Sequence, residues 1–338
     1  MRHGVNRAPS ADAPALRRYT LRVPREEGSI KLNLRASVFA TAVTLALIGT
    51  GCSNTASPSP SATPQSAAPA TATASPSTDP CTKSGLTLRT PGTLTIGTDN
   101  PAFGPWFDGT PAKGSTWQVS DPTSGEGLES AVAYAIADKL GFDKAAVAWV
   151  VVPFNNVIQA GPKAFDFDVN HVSYSSERAQ AVDLSEGYFD NNQSVVAFKA
   201  NAIATATSVA DLKAYRLGAQ VGTTSHNYIT DNIQPTAQPR VYNTNSAAIK
   251  GLQANQIDGI VVDFGTAFYM RDTQLTNGTI VGSLPTVGAQ EYFSAVLNKG
   301  SPLTACVNAA IVALKSDGTL DALRKQWIES KGSVPVLK

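Results

Sequence analysis

Residues 147–160 read VAWVVVPFNNVIQA. Six residues, four of them Val, run to Pro153 without a charge, and such a run closed by proline is the pattern of a buried strand. Phe154 to Ala160 then carries apolar residues at helical spacing, which predicts a short helix. The strand-then-helix pattern repeats outward in both directions. Leu94-Thr95-Ile96-Gly97-Thr98 precedes Leu128, Ala131, Val132, Ala135, Ile136 and Leu140, a helical face stopped by Gly141. Downstream, Ser176-Glu177-Arg178 starts a helix with Ser175 or Ser176 as its cap. Ser208 to Lys213 reads as a capped helix before the strand Leu217–Val221. A helix at Ser246 to Ala254 precedes the strand Gly259–Val262. Two tail helices follow, one with Leu303, Val307, Ala310, Ile311 and Leu314 on a face, the other with Leu320, Leu323 and Trp327. This alternation predicts an α/β fold of parallel sheets with helices on both faces, whose ligands bind beyond the carboxyl ends of the strands.

The 338 residues hold 27 basic and 26 acidic side chains, a balance that argues against a nucleic-acid binder. Residues 1–35 contain eight of the basic and three of the acidic residues, leaving 19 and 23 in the remainder. The basic excess precedes Ala36–Gly51, an uncharged apolar run of 16 residues. That is short for a membrane span and fits the core of a signal peptide. Cys52 follows at once, and the arrangement resembles a bacterial lipoprotein signal, in which the Cys is acylated; Gly49 stands where that pattern has Leu, Val or Ile. The alternative is ordinary secretion with an incidental Cys52. Of residues 53–80, 25 are Ser, Thr, Ala or Pro. Such a segment lacks the apolar surface to offset its ordering entropy and reads as a disordered tether. The expected division is therefore a signal peptide at 1–51 and a lipidated Cys with its tether at 52–80.

With Cys52 set aside, Cys81 and Cys306 remain. An even pair outside the cytoplasm suggests a disulfide, the alternative being two separate thiols. The three histidines, His3, His171 and His226, form no metal-ligand spacing with cysteines. No nucleophile elbow, zinc-protease motif or phosphate-binding loop occurs, so no catalytic residue, metal or cofactor is expected.

Several segments together, in order, resemble the extracellular solute-binding proteins of amino-acid ABC importers, of the polar amino acid class. They are LTIGTDNPAFGPWF (94–107), residues 127–141, VPFNNVIQA (152–160), DFDVNHVSYSSERAQAVDLSEGY (166–188), LGAQVGTTS (217–225), IDGIVVDFGTAFY (257–269) and KSDGTLDALRKQW (315–327). The resemblance implies a two-lobed, periplasmic-binding-protein-like fold. Each lobe is a mostly parallel sheet with flanking helices, with lobe 1 at 85–192 and 289–338, lobe 2 at 193–288, and two hinge strands between them. It implies a monomer outside the cytoplasm, anchored by lipid on Cys52. The partners it implies are a free amino acid, an ABC permease and a separate ATPase.

The resemblance also assigns residues. Arg178, after the Ser-Ser-Glu turn, would hold the ligand carboxylate, because a guanidinium is a permanently charged, two-pronged donor. Residues 222–225, with Thr223 and Thr224, would add backbone N–H groups. Asp263, at the end of a buried strand, would take the ammonium, with the Ser173 hydroxyl and a carbonyl near His171 assisting. His171 replaces the small residue usual there. Phe103 and Phe154 would sandwich the aliphatic part of the ligand; Trp106 or Phe107 is the alternative to Phe103. Asp99 would face the ligand side chain. A sensor feeding a membrane kinase would use the same cleft. An enzyme on the same fold is disfavoured because Ser225 and His226, the one hydroxyl–imidazole neighbour pair, point apart on a helix.

Overall fold

The computed structural model describes residues 80–338. The expected signal peptide, Cys52 and most of the tether lie outside them. Among the described residues ten strands form two sheets. The first contains β1 (Leu94–Thr98), β2 (Val147–Val151), β3 (Phe167–Asp168), β4 (Asp183–Asp190) and β10 (Tyr292–Leu297), in the order β2-β1-β3-β10-β4. The second contains β5 (Gln193–Phe198), β6 (Leu217–Gln220), β7 (Arg240–Tyr242), β8 (Gly259–Asp263) and β9 (Gly278–Ser283), in the order β7-β6-β8-β5-β9. The helices are α1 (Leu128–Lys139), α2 (Phe154–Val157), α3 (Arg178–Ala181), α4 (Thr224–Tyr228), α5 (Asn245–Gln253), α6 (Phe264–Tyr269), α7 (Thr304–Ser316) and α8 (Thr319–Trp327).

Both sheets are mixed, and in the same way. In the first, β1 runs parallel to β2 and β3, while β10 runs antiparallel to β3 and β4. In the second, β6 runs parallel to β7 and β8, while β5 runs antiparallel to β8 and β9. Of the parallel halves, β1, β2, β6 and β8 are the strands legible in the sequence; the short β3 and β7 are not. The antiparallel halves arise where the chain changes sheets, from β4 to β5 through 191–192 and from β9 to β10 through 284–291.

Strand pleating sends successive residues to opposite faces, so each sheet needs a cover on both sides. Ile260 and Val262 of β8 pack with Ala248, Ile249 and Leu252 of α5 and with Phe268 of α6, whereas Val261 packs with Ile229 and Ile233. On the first sheet, Leu94, Ile96 and Phe167 meet Val132 and Ile136 of α1 and Val307 and Ile311 of α7. Each such buried aliphatic side chain contributes ~1.5–3 kcal/mol by leaving water.

Three expectations are corrected here. β2 is half-buried, because it is an edge strand with one neighbour and its apolar run is not enclosed on both sides. The helix expected from Ser208 is a single 3-10 turn at Ala210–Ala214. Asp211 accepts from the Thr207 and Ser208 N–H groups and Ser208 Oγ accepts from the Asp211 N–H, so the caps occupy the segment that a longer helix would need. Finally, the last residues do not belong with the first sheet. Val336 bridges Ser283 of β9, and Leu337 is buried in the core of the second sheet, so the apolar end of the chain crosses back. Cys81 and Cys306 are disulfide-bonded, tying the start of the described chain to α7 with Cα atoms 5.2 Å apart. No helix among the described residues is long and apolar enough to cross a membrane.

Candidate functional site

The carboxyl ends of β1, β6 and β8 converge on one cavity of about 470 Å³, lined from both sheets. Thr98 and Asp99 leave β1, Gln220 and Thr223 follow β6, and Asp263 closes β8. All nine predicted ligand-contacting residues line it: Asp99, Phe103, Phe154, His171, Ser173, Arg178, Thr223, Thr224 and Asp263.

Arg178 opens α3, where Ser175 Oγ accepts its backbone N–H at 3.1 Å. Its guanidinium is buried. Nη1 donates to the Ser173 carbonyl at 2.5 Å and Nη2 to the Gly222 carbonyl at 2.7 Å, so the two bonds reach opposite walls of the cleft. Burial lowers its pKa to about 10, against the raising influence of Glu291 and Glu177, and it stays charged at neutral pH. The Phe154 ring lies 5.7 Å from the guanidinium carbon.

Asp263 serves as the cap of α6, with Oδ1 accepting the Thr266 N–H at 2.8 Å. Burial pushes its carboxyl pKa up, while His171 and the Thr266 bonds pull it down. Asp99 accepts from the Asn100 N–H at 2.7 Å and the Phe154 N–H at 3.2 Å, which orients it at the mouth of β1. Thr223 caps α4, its Oγ1 accepting from the His226 N–H and donating to the Gln220 carbonyl.

His171 has φ of 39°, in the left-handed region. Its ring lies over Trp106 at 5.6 Å. Its backbone N–H donates to one Glu129 oxygen, and its ring Nδ1 sits 3.4 Å from the other. Burial lowers the imidazole pKa, but Glu129, Asp263 and Asp99 together outweigh it and the net shift is upward. Glu129 is fully buried in the first turn of α1 and also accepts from Tyr188 Oη.

Phe103, not Trp106, faces the cavity. Trp106 is fully buried, with its indole N–H donating to Thr266 Oγ1 at 3.0 Å. Its ring packs against Gly265, where an added Cβ would come within 2.2 Å of the indole. Gly127 is likewise obligatory: φ is +92° and a Cβ would stand 2.5 Å from Phe107 Cα.

Sequence reasoning missed four contributors. Tyr269, at the end of α6, stacks on Phe103. Asn170 lines the floor with neither amide atom hydrogen-bonded. Gln193 accepts from Ser225 Oγ, and Glu291 anchors a cluster of hydroxyls and amides. Asn170 and Tyr269 lie within the quoted segments 166–188 and 257–269, where the resemblance gives them no role; Gln193 and Glu291 lie outside every such segment, and a polar residue at a strand boundary is the only cue they offer. Among the described residues no group of three or more His, Cys, Asp and Glu could hold a metal ion.

Chemically the cavity presents one fixed cation, two carboxylates and the aromatic rings of Phe103, Phe107, Phe154, Tyr269 and Phe293 in a space suited to a small molecule. A zwitterion with an apolar stem matches that set.

A family model described as bacterial extracellular solute-binding proteins, family 3, matches residues 114–330. The L-cystine-binding protein TcyJ of Escherichia coli K12 is 29% identical over 165 residues, 49% of this chain and 60% of TcyJ, so the match spans under two thirds of that relative. The ABC transporter glutamine-binding protein GlnH of Bacillus subtilis is 28% identical over 215 residues, 62% of this chain and 76% of GlnH. A solved structure of an ancestral arginine-binding protein bound to glutamine superposes with a TM-score of 0.55 at 27% identity, covering 70% of this chain and 98% of that one.

Proposed function

Because this chain belongs to the bacterial extracellular solute-binding proteins, family 3, we propose that it captures a free amino acid in the cleft and delivers it to an ABC permease driven by a separate ATPase. The observation that carries this is the convergence of buried Arg178 and strand-end Asp263 on one cavity, a cation and an anion for the two charged ends of one ligand. The named relatives are binding proteins, which supports a receptor over an enzyme.

Arg178 takes the carboxylate, helped by N–H groups around Thr223 and Thr224. Asp263 and the Ser173 oxygen take the ammonium. Phe103 and Phe154 flank the stem, while Asp99 and His171 bound the side chain. Residues 85–192 with the returning helices α7 and α8 form one lobe, 193–288 with the last residues around Leu337 form the other, and the lobes close on the ligand about the crossings at 191–192 and 284–291. The chain works outside the cytoplasm as a monomer, held by lipid on Cys52 through the tether at 53–80.

The test is a thermal-shift screen of the purified protein against the twenty amino acids at ~1 mM. A ligand of ~1 µM Kd adds about 4 kcal/mol, which raises the Tm by roughly 8–16 °C. A shift with one or a few related amino acids is the expected result. No shift with any of them overturns the assignment.

A further inference from the structure

Glu291 stands one residue before β10, at the end of the second crossing. Its Oε1 accepts from Ser173 Oγ at 2.5 Å, Thr224 Oγ1 at 2.7 Å, Gln193 Nε2 at 2.9 Å and Asn191 Nδ2 at 3.1 Å. Its Oε2 also accepts from Gln193 Nε2, at 2.9 Å. Ser173 comes from the segment between β3 and α3, and Thr224 from the start of α4, one beside each sheet. Both hydroxyl residues line the cleft. Glu291 lines a small hollow on the other side, with Asn191, Asn192 and Tyr228. The carboxylate therefore stands behind the two hydroxyls.

A hydroxyl has one proton to donate and two lone pairs, and a carboxylate can only accept. With its proton committed to Glu291, Ser173 Oγ can offer the cleft nothing but lone pairs. Thr224 Oγ1 is in the same position, and Gln193 Nε2 already occupies one of its lone pairs at 3.2 Å. The two hydroxyl oxygens lie 3.3 Å apart with no proton left to place between them. A donor carrying positive charge satisfies that pair, and an acceptor is repelled by it.

We propose that Glu291 sets the hydrogen-bond polarity of the cleft: by drawing the protons of Ser173 and Thr224 behind the wall, it makes their oxygens a dedicated acceptor site for the α-ammonium of the ligand. Glu291 is a positioning residue and does not itself touch the ligand. The proposal rests on the amino-acid receptor assignment. It adds a source of selectivity for the amino group that is separate from Asp263.

The experiment is competition calorimetry on the purified full chain. The probes are the tightest binder among the twenty L-amino acids and the same acid with hydrogen in place of its ammonium (5-guanidinopentanoate for L-arginine, glutaramate for L-glutamine). In Glu291→Gln, the new amide can donate, so the hydroxyl protons are free to turn into the cleft. The expected result is a loss of about tenfold or more for the amino acid, about one hydrogen bond's worth, with the deamino acid changed less than about threefold. In a Ser173→Ala, Thr224→Val background, Glu291→Gln should cost little further, because the groups it acts through are gone.

Equal losses for both probes would assign Glu291 to lobe closure alone and overturn the proposal. So would wild-type affinity in Glu291→Gln, or an undiminished effect in the double-variant background, which would mean that its charge acts directly. If Glu291→Gln does not fold by circular dichroism, Ser173→Ala must show the same amino-selective loss, and failure to do so is equally fatal. Absence of any binder among the twenty shows in the wild-type arm alone and overturns the receptor assignment itself, and this proposal with it.

Discussion

Phe103 and Tyr269 stack face to face, their ring centroids 4.6 Å apart and their planes at 23°. Phe103 belongs to the loop after β1 and Tyr269 to the end of α6, so the pair joins the two sides of the cleft. Aromatic pairs contribute ~0.5–1.5 kcal/mol beyond the area they bury. Tyr269→Ala should therefore weaken amino-acid binding by roughly three- to tenfold, while the Tm of the ligand-free protein moves little. Calorimetry on the variant checks this. Tyr269→Phe keeps the ring and should bind as the wild type does.

Arg178 makes two bonds to carbonyls on opposite sides of the cavity, from Nη1 to Ser173 and from Nη2 to Gly222. The planar fork serves both carbonyls and leaves N–H groups for a carboxylate, which a point-charge ammonium cannot reproduce. Truncating one member of a buried charge pair costs ~2–5 kcal/mol. Arg178→Ala should thus raise Kd by at least ~30-fold, and Arg178→Lys should fall well short of restoring it. Binding within a few-fold of wild type in either variant would remove Arg178 from the site.

Asp168 in β3 is fully buried, and neither carboxyl oxygen has a hydrogen-bond partner. Burial, reinforced by Glu129 and Asp99, pushes its pKa well above the usual carboxylate value; Lys163 offsets this only in part. A raised folded-state pKa means that the native protein holds a proton the unfolded chain has released. Stability should therefore fall as pH rises above the unfolded value and level off beyond the folded one. Asp168→Asn keeps the shape without the proton. Chemical denaturation across pH 4–8 should show this component of the slope in wild type and its loss in Asp168→Asn, with the variant gaining most at the upper end.

The sequence carried β1, β2, β6 and β8 of the parallel strands, and the charged residues at their ends, because both are local; β3 and β7, two and three residues long, are too short to show a pattern. Leu94–Thr98 followed by Asp99, and Gly259–Val262 followed by Asp263, combine strand, turn and ligand group within a few residues. The antiparallel strands β4, β5, β9 and β10 went unread, because their pairing depends on the chain changing sheets and nothing in a window of residues records that. β2 shows the limit from the other side. Its composition is that of a central strand, yet topology places it at an edge. Tyr269 and Glu291 escaped for a similar reason, since their partners Phe103 and Ser173 are brought to them by the crossings alone.

Asp263 supplies the remaining test. In the empty cleft its pKa is raised, mainly by burial. A ligand ammonium beside it favours the charged form and pulls the pKa down. Binding then releases a proton over the pH interval between the two values, so affinity should increase as pH rises through the raised pKa of the empty protein and flatten above it. His171 acts in the same direction, because its own raised pKa adds a positive charge to the cleft as pH falls. The two are separable. Asp263→Asn should bind the amino acid weakly and remove the carboxyl component of the pH dependence, whereas His171→Gln should retain that component. Calorimetry in two buffers of different ionisation enthalpy counts the protons directly. Unchanged proton release in Asp263→Asn would mean that the ammonium is held elsewhere.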